Sequence, residues 1–132
     1  MGEFAADVGK WADKALVEFN ELRKAVILEL FSSVILDTPV LSGRLRGNWQ
    51  IASTILKGEL KVTDPDGRET IIKVQDHLNG EKLTRDNVTY LTNNLPYAYR
   101  IEYDGWSHTK APAGMVRKNF IRVSNNLKRK IA

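Results

Sequence analysis

The residues of this chain best suited to acid–base or metal chemistry are two histidines, His77 and His108, since it has no cysteine. Neither histidine lies in a metal-ligand pattern such as HExxH. The sequence also lacks a phosphate-binding GxxxxGK[ST] loop and a GxSxG nucleophile elbow. Glu102 and Asp104 could be drawn as an acid pair, but so could any two neighbouring carboxylates. We therefore predict that the protein is not an enzyme and has no catalytic residues, cofactor or metal.

A second unusual stretch runs from Asn93 to Arg117 and contains all but one of the tyrosines and one of the three tryptophans. Its part from Gly105 to Gly114 has no periodic apolar pattern and predicts an exposed loop. An exposed loop with aromatic residues is usually held against its own domain or against a partner. We favour a partner.

The bulk composition is that of one ordinary globular domain. At 132 residues, with 42% apolar and 27% charged residues, the chain is long enough to bury a core without a metal or a disulfide. The absence of cysteine suits synthesis in the cytoplasm, and no apolar run approaches the length of a membrane span. We therefore expect no membrane partner.

The net charge of +4 is unevenly distributed along the chain. Residues 1–37 contain seven acidic and four basic residues, a net charge of −3, whereas residues 105–132 carry seven basic residues and no acid. Such polarity is typical of nucleic-acid binding at one end, or of copies that attract one another end to end. A solvated basic tail is the third alternative.

Helices are predicted at both ends of the chain. In residues 1–37, apolar residues recur at steps of three and four, so that one long helix of roughly 50 Å either projects from the domain or breaks near Gly9. Its part from Ala25 to Leu36 is apolar on nearly every face and should be buried. Pro39 ends this helix. The same period predicts a C-terminal helix over residues 115–131.

The middle of the chain predicts a small sheet and short helices. Residues 47–63 alternate as a strand with a return strand at Leu60 and Val62, after a loop over residues 39–47, and residues 87–93 form a second strand. Residues 68–79 suit a strand by β-branching or a helix by spacing, and we favour the helix. Residues 96–104, which begin with Pro96, predict a short helix. The chain is therefore predicted to be a single α+β domain with a mostly antiparallel sheet packed by helices.

Two segments, Asp37–Gln50 and Asn93–Arg117, carry a family resemblance. Their TPVLSGRLRGNW, NNLPYAYRIEYDG and APAGMVR runs resemble the neck or tail-completion family of long-tailed bacteriophages, in order and approximate spacing along nearly the whole chain. Ser42, Leu41 and Lys110 depart from the residues usual in that family, and Asp104 intrudes before Gly105. These departures affect which partner is recognised.

The resemblance implies a structural protein of the virion, assembled in the cytoplasm of the host bacterium. Copies of such proteins form a ring, commonly of six, on the end of the tail tube. The ring joins the tail to the head-completion ring under the portal, and double-stranded DNA passes through its lumen. The implied partners are therefore further copies of the chain, the tail tube protein and the head-completion protein. A small basic nucleic-acid-binding protein is the alternative.

Several residues of the two segments are candidates for contacts with another copy or a neighbouring ring. Arg44 and Arg46 suit bidentate pairing with a carboxylate, for which Glu102, Asp37 or Asp104 would serve, although the arginines could also pair within their own chain. Trp49 is expected in the core. The complete set of candidate interface residues is Arg44, Arg46, Tyr97, Glu102, Tyr103, Trp106, Pro112, Met115 and Arg117.

Overall fold

The fold is α+β, with five helices and one two-stranded sheet among the described residues. The structure, a computed structural model, describes residues 2–40, 42–81, 88–103 and 114–131. In chain order the elements are α1 (Gly2–Asp37), α2 (Arg44–Gly47), β1 (Gln50–Ala52), α3 (Arg68–Gly80), β2 (Tyr90–Thr92), α4 (Pro96–Tyr103) and α5 (Val116–Ile131). The predicted fold class is confirmed.

Helix α1 runs without interruption through Gly9, so the predicted break at that residue is wrong. A single glycine in a helix interior costs only about 1 kcal/mol relative to alanine, which the flanking helix formers offset. The two halves of α1 differ in burial. Val34 and Ile35 are fully buried, whereas Trp11 in the first half is 71% exposed. The first half therefore projects from the domain, as the alternative prediction had it.

One hydrophobic core joins the second half of α1 to α2, α3 and α4. Val34 and Ile35 pack there with Leu45, Val74 and Ile101, and Trp49 lies in the same cluster. The Trp49 indole Nε1 donates a hydrogen bond to Thr38 Oγ1 at 2.8 Å, and Thr38 Oγ1 donates to the Val34 carbonyl at 2.7 Å. Trp49 is thus a core residue that ties the start of β1 to the end of α1, as predicted.

The sheet is smaller than predicted. Strands β1 and β2 are antiparallel, with Gln50 opposite Thr92 and Ile51 opposite Leu91. The predicted return strand at Leu60 and Val62 does not form. Instead, side chains from other parts of the chain form hydrogen bonds with backbone groups of this segment. The Asn48 Oδ1 accepts the Leu60 N–H at 2.7 Å, and the Asn94 side-chain amide donates to the carbonyls of Leu56 and Gly58.

The helical predictions for the rest of the chain hold with small shifts of boundary. Residues 68–80 are a helix, and the short helix begins at Pro96 as predicted. The C-terminal helix begins at Val116 rather than Met115, which lies in the turn before it. The predicted loop over residues 39–47 contains the short helix α2. The predicted exposed loop over residues 105–114 lies outside the described residues except for Gly114, which is buried.

Candidate functional site

Arg46 is a structural residue within its own chain. Its Nη2 donates to the carbonyls of Leu36 and Thr38, both at 2.8 Å, and its Nη1 donates to the carbonyl of Pro65 at 2.6 Å. Helix α1 has no basic residue in its last turn, so Arg46 supplies the positive charge that favours a helix C-terminus. The Nη groups of Arg46 therefore bind backbone carbonyls of their own chain, in line with the alternative that the arginine pairs within its chain, and its pairing with a neighbour's carboxylate stays a prediction.

Arg44 has a different environment on the same short helix. Its Nη2 lies 2.9 Å from the carboxylate of Glu59, and both side chains are largely exposed. Exposed ion pairs contribute little to stability, so this pair can exchange partners at small free-energy change. Of the two arginines, Arg44 is therefore the one that remains accessible to another molecule.

The backbone around these arginines is held rigidly. Gly43 has φ of +89°, and a Cβ there would come within 2.5 Å of the Pro65 nitrogen. Its carbonyl accepts hydrogen bonds from the N–H groups of Gly47 and Asp64, each at 2.9 Å. Gly43 is therefore required both for its left-handed conformation and for the close approach of the following turn.

Asp64 and Asn48, which were not among the predicted site residues, also hold this part of the backbone in place. The Asn48 side-chain amide donates to the Arg44 carbonyl at 2.6 Å. The Asp64 carboxylate accepts the backbone N–H of Thr70 at 2.8 Å and its hydroxyl at 2.6 Å, which secures the first turn of α3. Burial alone would raise the pKa of Asp64, but the hydrogen bonds from Thr70 outweigh it and lower the pKa below its ordinary value. The spacing of Asp64-Pro65-Asp66-Gly67 before a helix was the available signal.

Glu102 joins α4 to the start of α5. Its Oε2 accepts the backbone N–H groups of Met115 at 2.5 Å and Val116 at 2.8 Å, and its Oε1 accepts the backbone N–H and the Nε of Arg117 at 3.0 and 3.1 Å. The Arg117 guanidinium also donates to the Glu102 carbonyl. The carboxylate thus satisfies donors at a helix N-terminus that have no partner within the helix.

These contacts change the predicted role of Glu102. Its residue surface is only 7% exposed. Burial alone would raise the pKa of Glu102, but the backbone hydrogen bonds from residues 115–117 and the Arg117 side chain together lower it. Because the carboxylate is buried and saturated by its own chain, it is not the acceptor for a neighbour's arginine that we predicted.

The predicted aromatic contacts divide between core and surface. Tyr97 is half-buried against the core cluster, whereas Tyr103 is 57% exposed. The ring centroids of Tyr99 and Tyr103 lie 4.7 Å apart, and the Arg117 guanidinium carbon lies 4.8 Å from the Tyr103 ring centroid. Tyr99, Tyr103 and Arg117 therefore form one exposed aromatic and cationic patch.

The remaining predicted interface residues have other outcomes. Met115 is 1% exposed and belongs to the core, so its predicted place in an interface is wrong. Gly114, which precedes it, has φ of +81°, and a Cβ there would come within 2.7 Å of the Glu102 carbonyl oxygen. Trp106 and Pro112 lie outside the described residues.

Several exposed apolar residues lie on the first half of α1. We call residues 2–22 the arm. Trp11, Phe19 and Leu22 recur along it at helical spacing, and Phe19 is 61% exposed. A groove of about 480 Å³ is lined by Trp11, Ala12, Ala15, Leu16 and Phe19. Contiguous exposed apolar surface is typical of sites that contact another protein, a membrane or a ligand.

His77 lies beside a network of charged side chains. Its Nε2 is 3.4 Å from the Glu81 carboxylate, which also accepts hydrogen bonds from Arg23 at 2.7 Å and from the Thr89 hydroxyl at 2.6 Å. Burial would raise the pKa of Glu81, but Thr89, Arg23 and His77 together lower it. His77 also lines an open groove of about 320 Å³ with Trp49 and Lys73. His108 is outside the described residues.

No model of a known protein family, no curated protein and no solved structure matches the chain. Among the described residues, no group of three or more His, Asp or Glu side chains is placed to hold a metal ion. None of the helices in the described part of the chain has the length and apolar character needed to cross a membrane. Function therefore has to be inferred from the surfaces and contacts of the molecule itself.

Proposed function

We propose that this protein is a structural component of the virion of a long-tailed bacteriophage. Copies form a ring, commonly of six, at the head-proximal end of the tail tube. The ring terminates the tail and joins it to the head connector, and double-stranded DNA passes through its lumen. The resemblance of Asp37–Gln50 and Asn93–Arg117 to the neck or tail-completion family motivates the proposal, and the surface of α1 supports it.

The exposed apolar stripe of the arm carries the proposal. At 1.5 Å per residue, residues 2–19 of the arm span about 27 Å, and Asn20, which follows them, is buried. Burial of the Trp11 and Phe19 side chains in a contact would contribute roughly 1.5–3 kcal/mol each. A projecting helix of this kind supplies little to the core of its own domain, but it gives each subunit a long surface for its neighbour. Small subunits that form a ring need such a surface, because each subunit must contact the next one.

The two segments that carry the resemblance also have a mechanical role that suits a structural protein. In the first, hydrogen bonds from Arg46 connect the end of α1 to the turn at Pro65. In the second, hydrogen bonds to the Glu102 carboxylate connect α4 to the start of α5. The Arg46 contacts fix the body of the domain directly relative to α1, whereas the Glu102 contacts act through α5, which packs against α1. A fixed direction of the arm is needed if successive copies are to repeat the same angle and close a ring.

The alternative of a nucleic-acid-binding protein is less well supported. Three of the basic residues of α5 are paired with acids of the same chain. Lys118 lies 3.4 Å from Asp37, Arg122 lies 3.2 Å from Glu29, and the Arg117 Nε lies 3.1 Å from Glu102. These pairs reduce the positive charge that α5 offers to phosphates.

Deletion of the gene tests the proposal. We expect electron microscopy of the resulting particles to show filled heads and separate tails, because the joining ring is missing. Wild-type protein supplied from a plasmid should restore joined virions, which controls for effects on neighbouring genes. Normally joined virions without the protein would refute the proposed function.

A further inference from the structure

The arm continues the same helical face on which α5 is packed. Arg122 of α5 contacts Glu29 and Ser33 of α1. Further toward the start of α1, a narrow groove is lined by Leu22 and Val26 on one side and by Val123 and Leu127 of α5 on the other. Steps of three and four from Val26 lead to Leu22, Phe19, Ala15 and Trp11. From Phe19 toward the start of α1, the apolar stripe of the arm therefore extends the surface on which α5 packs, and there it is exposed.

Helix α5 has a second exposed face, directed away from α1, which is bordered by two apolar residues. Phe120 and Ile121 are each 59% exposed, and as consecutive residues they lie about 100° apart around the helix axis. The opposite face holds Asn119 and Val123, which are buried. Arg117 and Lys128 lie on the exposed face, one turn before Ile121 and two turns after it in the helix. Helix α5 therefore offers a surface of mixed apolar and basic character.

The charges of the two surfaces are complementary. The arm contains five acidic and two basic residues, a net charge of −3. Residues 116–131 contain no acid and six basic residues, three of which are paired with acids of their own chain. Among the described residues, the only ion pair of the arm is that of Lys14 with Glu18, at 3.9 Å. Within the residues that the structure describes, Lys128 and Arg129 have no ion-pair partner. Two arms would repel each other, whereas an arm and an α5 attract.

The structure assigns the arm to the exposed face of α5 in a second copy of the chain. The apolar stripe around Trp11 and Phe19 packs against Phe120 and Ile121, and the acids of the arm face Lys128 and Arg129 of that copy. The contact joins two different surfaces, so it is heterologous and can propagate from copy to copy until a ring closes. This inference deepens the proposed function and rests on it for the closed ring, whereas the contact between two copies is testable without a phage.

The absence of cysteine allows a direct test by disulfide cross-linking. One protein carries Ala15→Cys on the arm, and a second, enlarged by a tag, carries Ile121→Cys on the exposed face of α5. The two are mixed at the highest soluble concentration and oxidised. We expect the mixed dimer to exceed both homodimers. The matched control replaces the second protein by one with Gln75→Cys, an exposed position on α3, and should give only background cross-linking.

Charge reversal provides the second measurement. Lys128→Glu and Arg129→Glu, added to the Ile121→Cys protein, should lower the yield of the mixed dimer by about tenfold, because two exposed pairs become repulsive. Circular dichroism establishes that the helices remain intact.

The inference is overturned if the Ala15→Cys protein cross-links mainly to itself, which would indicate pairing of two arms. It is equally overturned if the yield of the mixed dimer stays at the level of the Gln75→Cys control, which would indicate that the arm binds a different protein. Failure of the proposed function is distinguishable from both outcomes. Joined virions in the deletion experiment would refute the proposed function but would not affect the inferred contact between two copies. Separate tails together with no mixed dimer would refute the contact but support the proposed function.

Discussion

The Glu102 carboxylate lies directly over the start of α5, where its Oε2 accepts the Met115 backbone N–H at 2.5 Å. The two residues lie on either side of residues 104–113, so this contact closes the chain around that segment. Met115 itself is buried in the core. The pair therefore fixes where α5 begins and which face of α5 points outward.

Replacement of Glu102 by alanine should lower the free energy of unfolding by about 2–3 kcal/mol, because buried backbone N–H groups lose their acceptor. Urea denaturation followed by circular dichroism measures the change. Glu59→Ala is the matched control, since Glu59 forms only the exposed pair with Arg44, and it should change stability by less than about 1 kcal/mol. Equal effects of the two substitutions would contradict the role assigned to Glu102.

Stability should fall in acid, and Glu102 should carry part of the loss. The pKa of Glu102 is lowered in the folded state from the ordinary 4.5, so its contribution is complete above that pH and is lost as the pH falls through the folded-state value. Asp64 and Glu81 have lowered pKa values and act in the same direction. Urea midpoints between neutral pH and acid should show a shallower decline for Glu102→Gln than for the wild-type protein. A decline of identical steepness would exclude Glu102 as a contributor.

Arg46→Lys should destabilise the domain by about 1–2 kcal/mol, because a single ammonium group cannot reproduce the planar donors that reach three carbonyls. Arg44→Lys is the conservative control on the same helix turn and should be nearly neutral, since Arg44 is exposed. Thermal unfolding of both variants measures the difference. If Arg44→Lys proved the more harmful, the assignment of structural and accessible arginines would be reversed.

The double replacement Trp11→Ser and Phe19→Ser should leave the folded domain intact and weaken its self-association. Both side chains are exposed on the arm, so the free energy of unfolding of the monomer should change by less than about 0.5 kcal/mol. Sedimentation at increasing protein concentration measures association. Val17→Ser, an exposed apolar position of the arm off the stripe, is the control and should associate like the wild-type protein.

Binding to double-stranded DNA should be weak and independent of base sequence, as expected for a protein that only surrounds passing DNA. A salt-titrated binding assay measures it. Micromolar binding with a steep salt dependence at moderate salt would favour the nucleic-acid-binding alternative. The pairing of Arg117, Lys118 and Arg122 with acids of their own chain is the physical reason for the expected weakness.

Local patterns predicted much of the secondary structure. The apolar period of α1 and α5, the proline that precedes α4 and the turn before α3 all depend on neighbours within a few residues. The return strand at Leu60 was mispredicted for the opposite reason. Its alternation suits a strand, but Asn48, Gln50 and Asn94 from elsewhere in the chain bind the backbone between Leu56 and Leu60. Side-chain contacts of this range leave no periodic signal.

The α+β class, the long first helix, the acidic start and the basic end could all be predicted from the sequence, because composition and periodicity are properties of the chain alone. Which of the candidate site residues face inward could not be predicted in this way. Arg46 and Glu102 are both charged residues close to a glycine in the sequence. In the structure each of them forms hydrogen bonds with backbone groups of its own chain. Burial depends on how elements distant in sequence pack together. Because α5 ends before it reaches the start of α1, the apolar stripe of the arm stays exposed there.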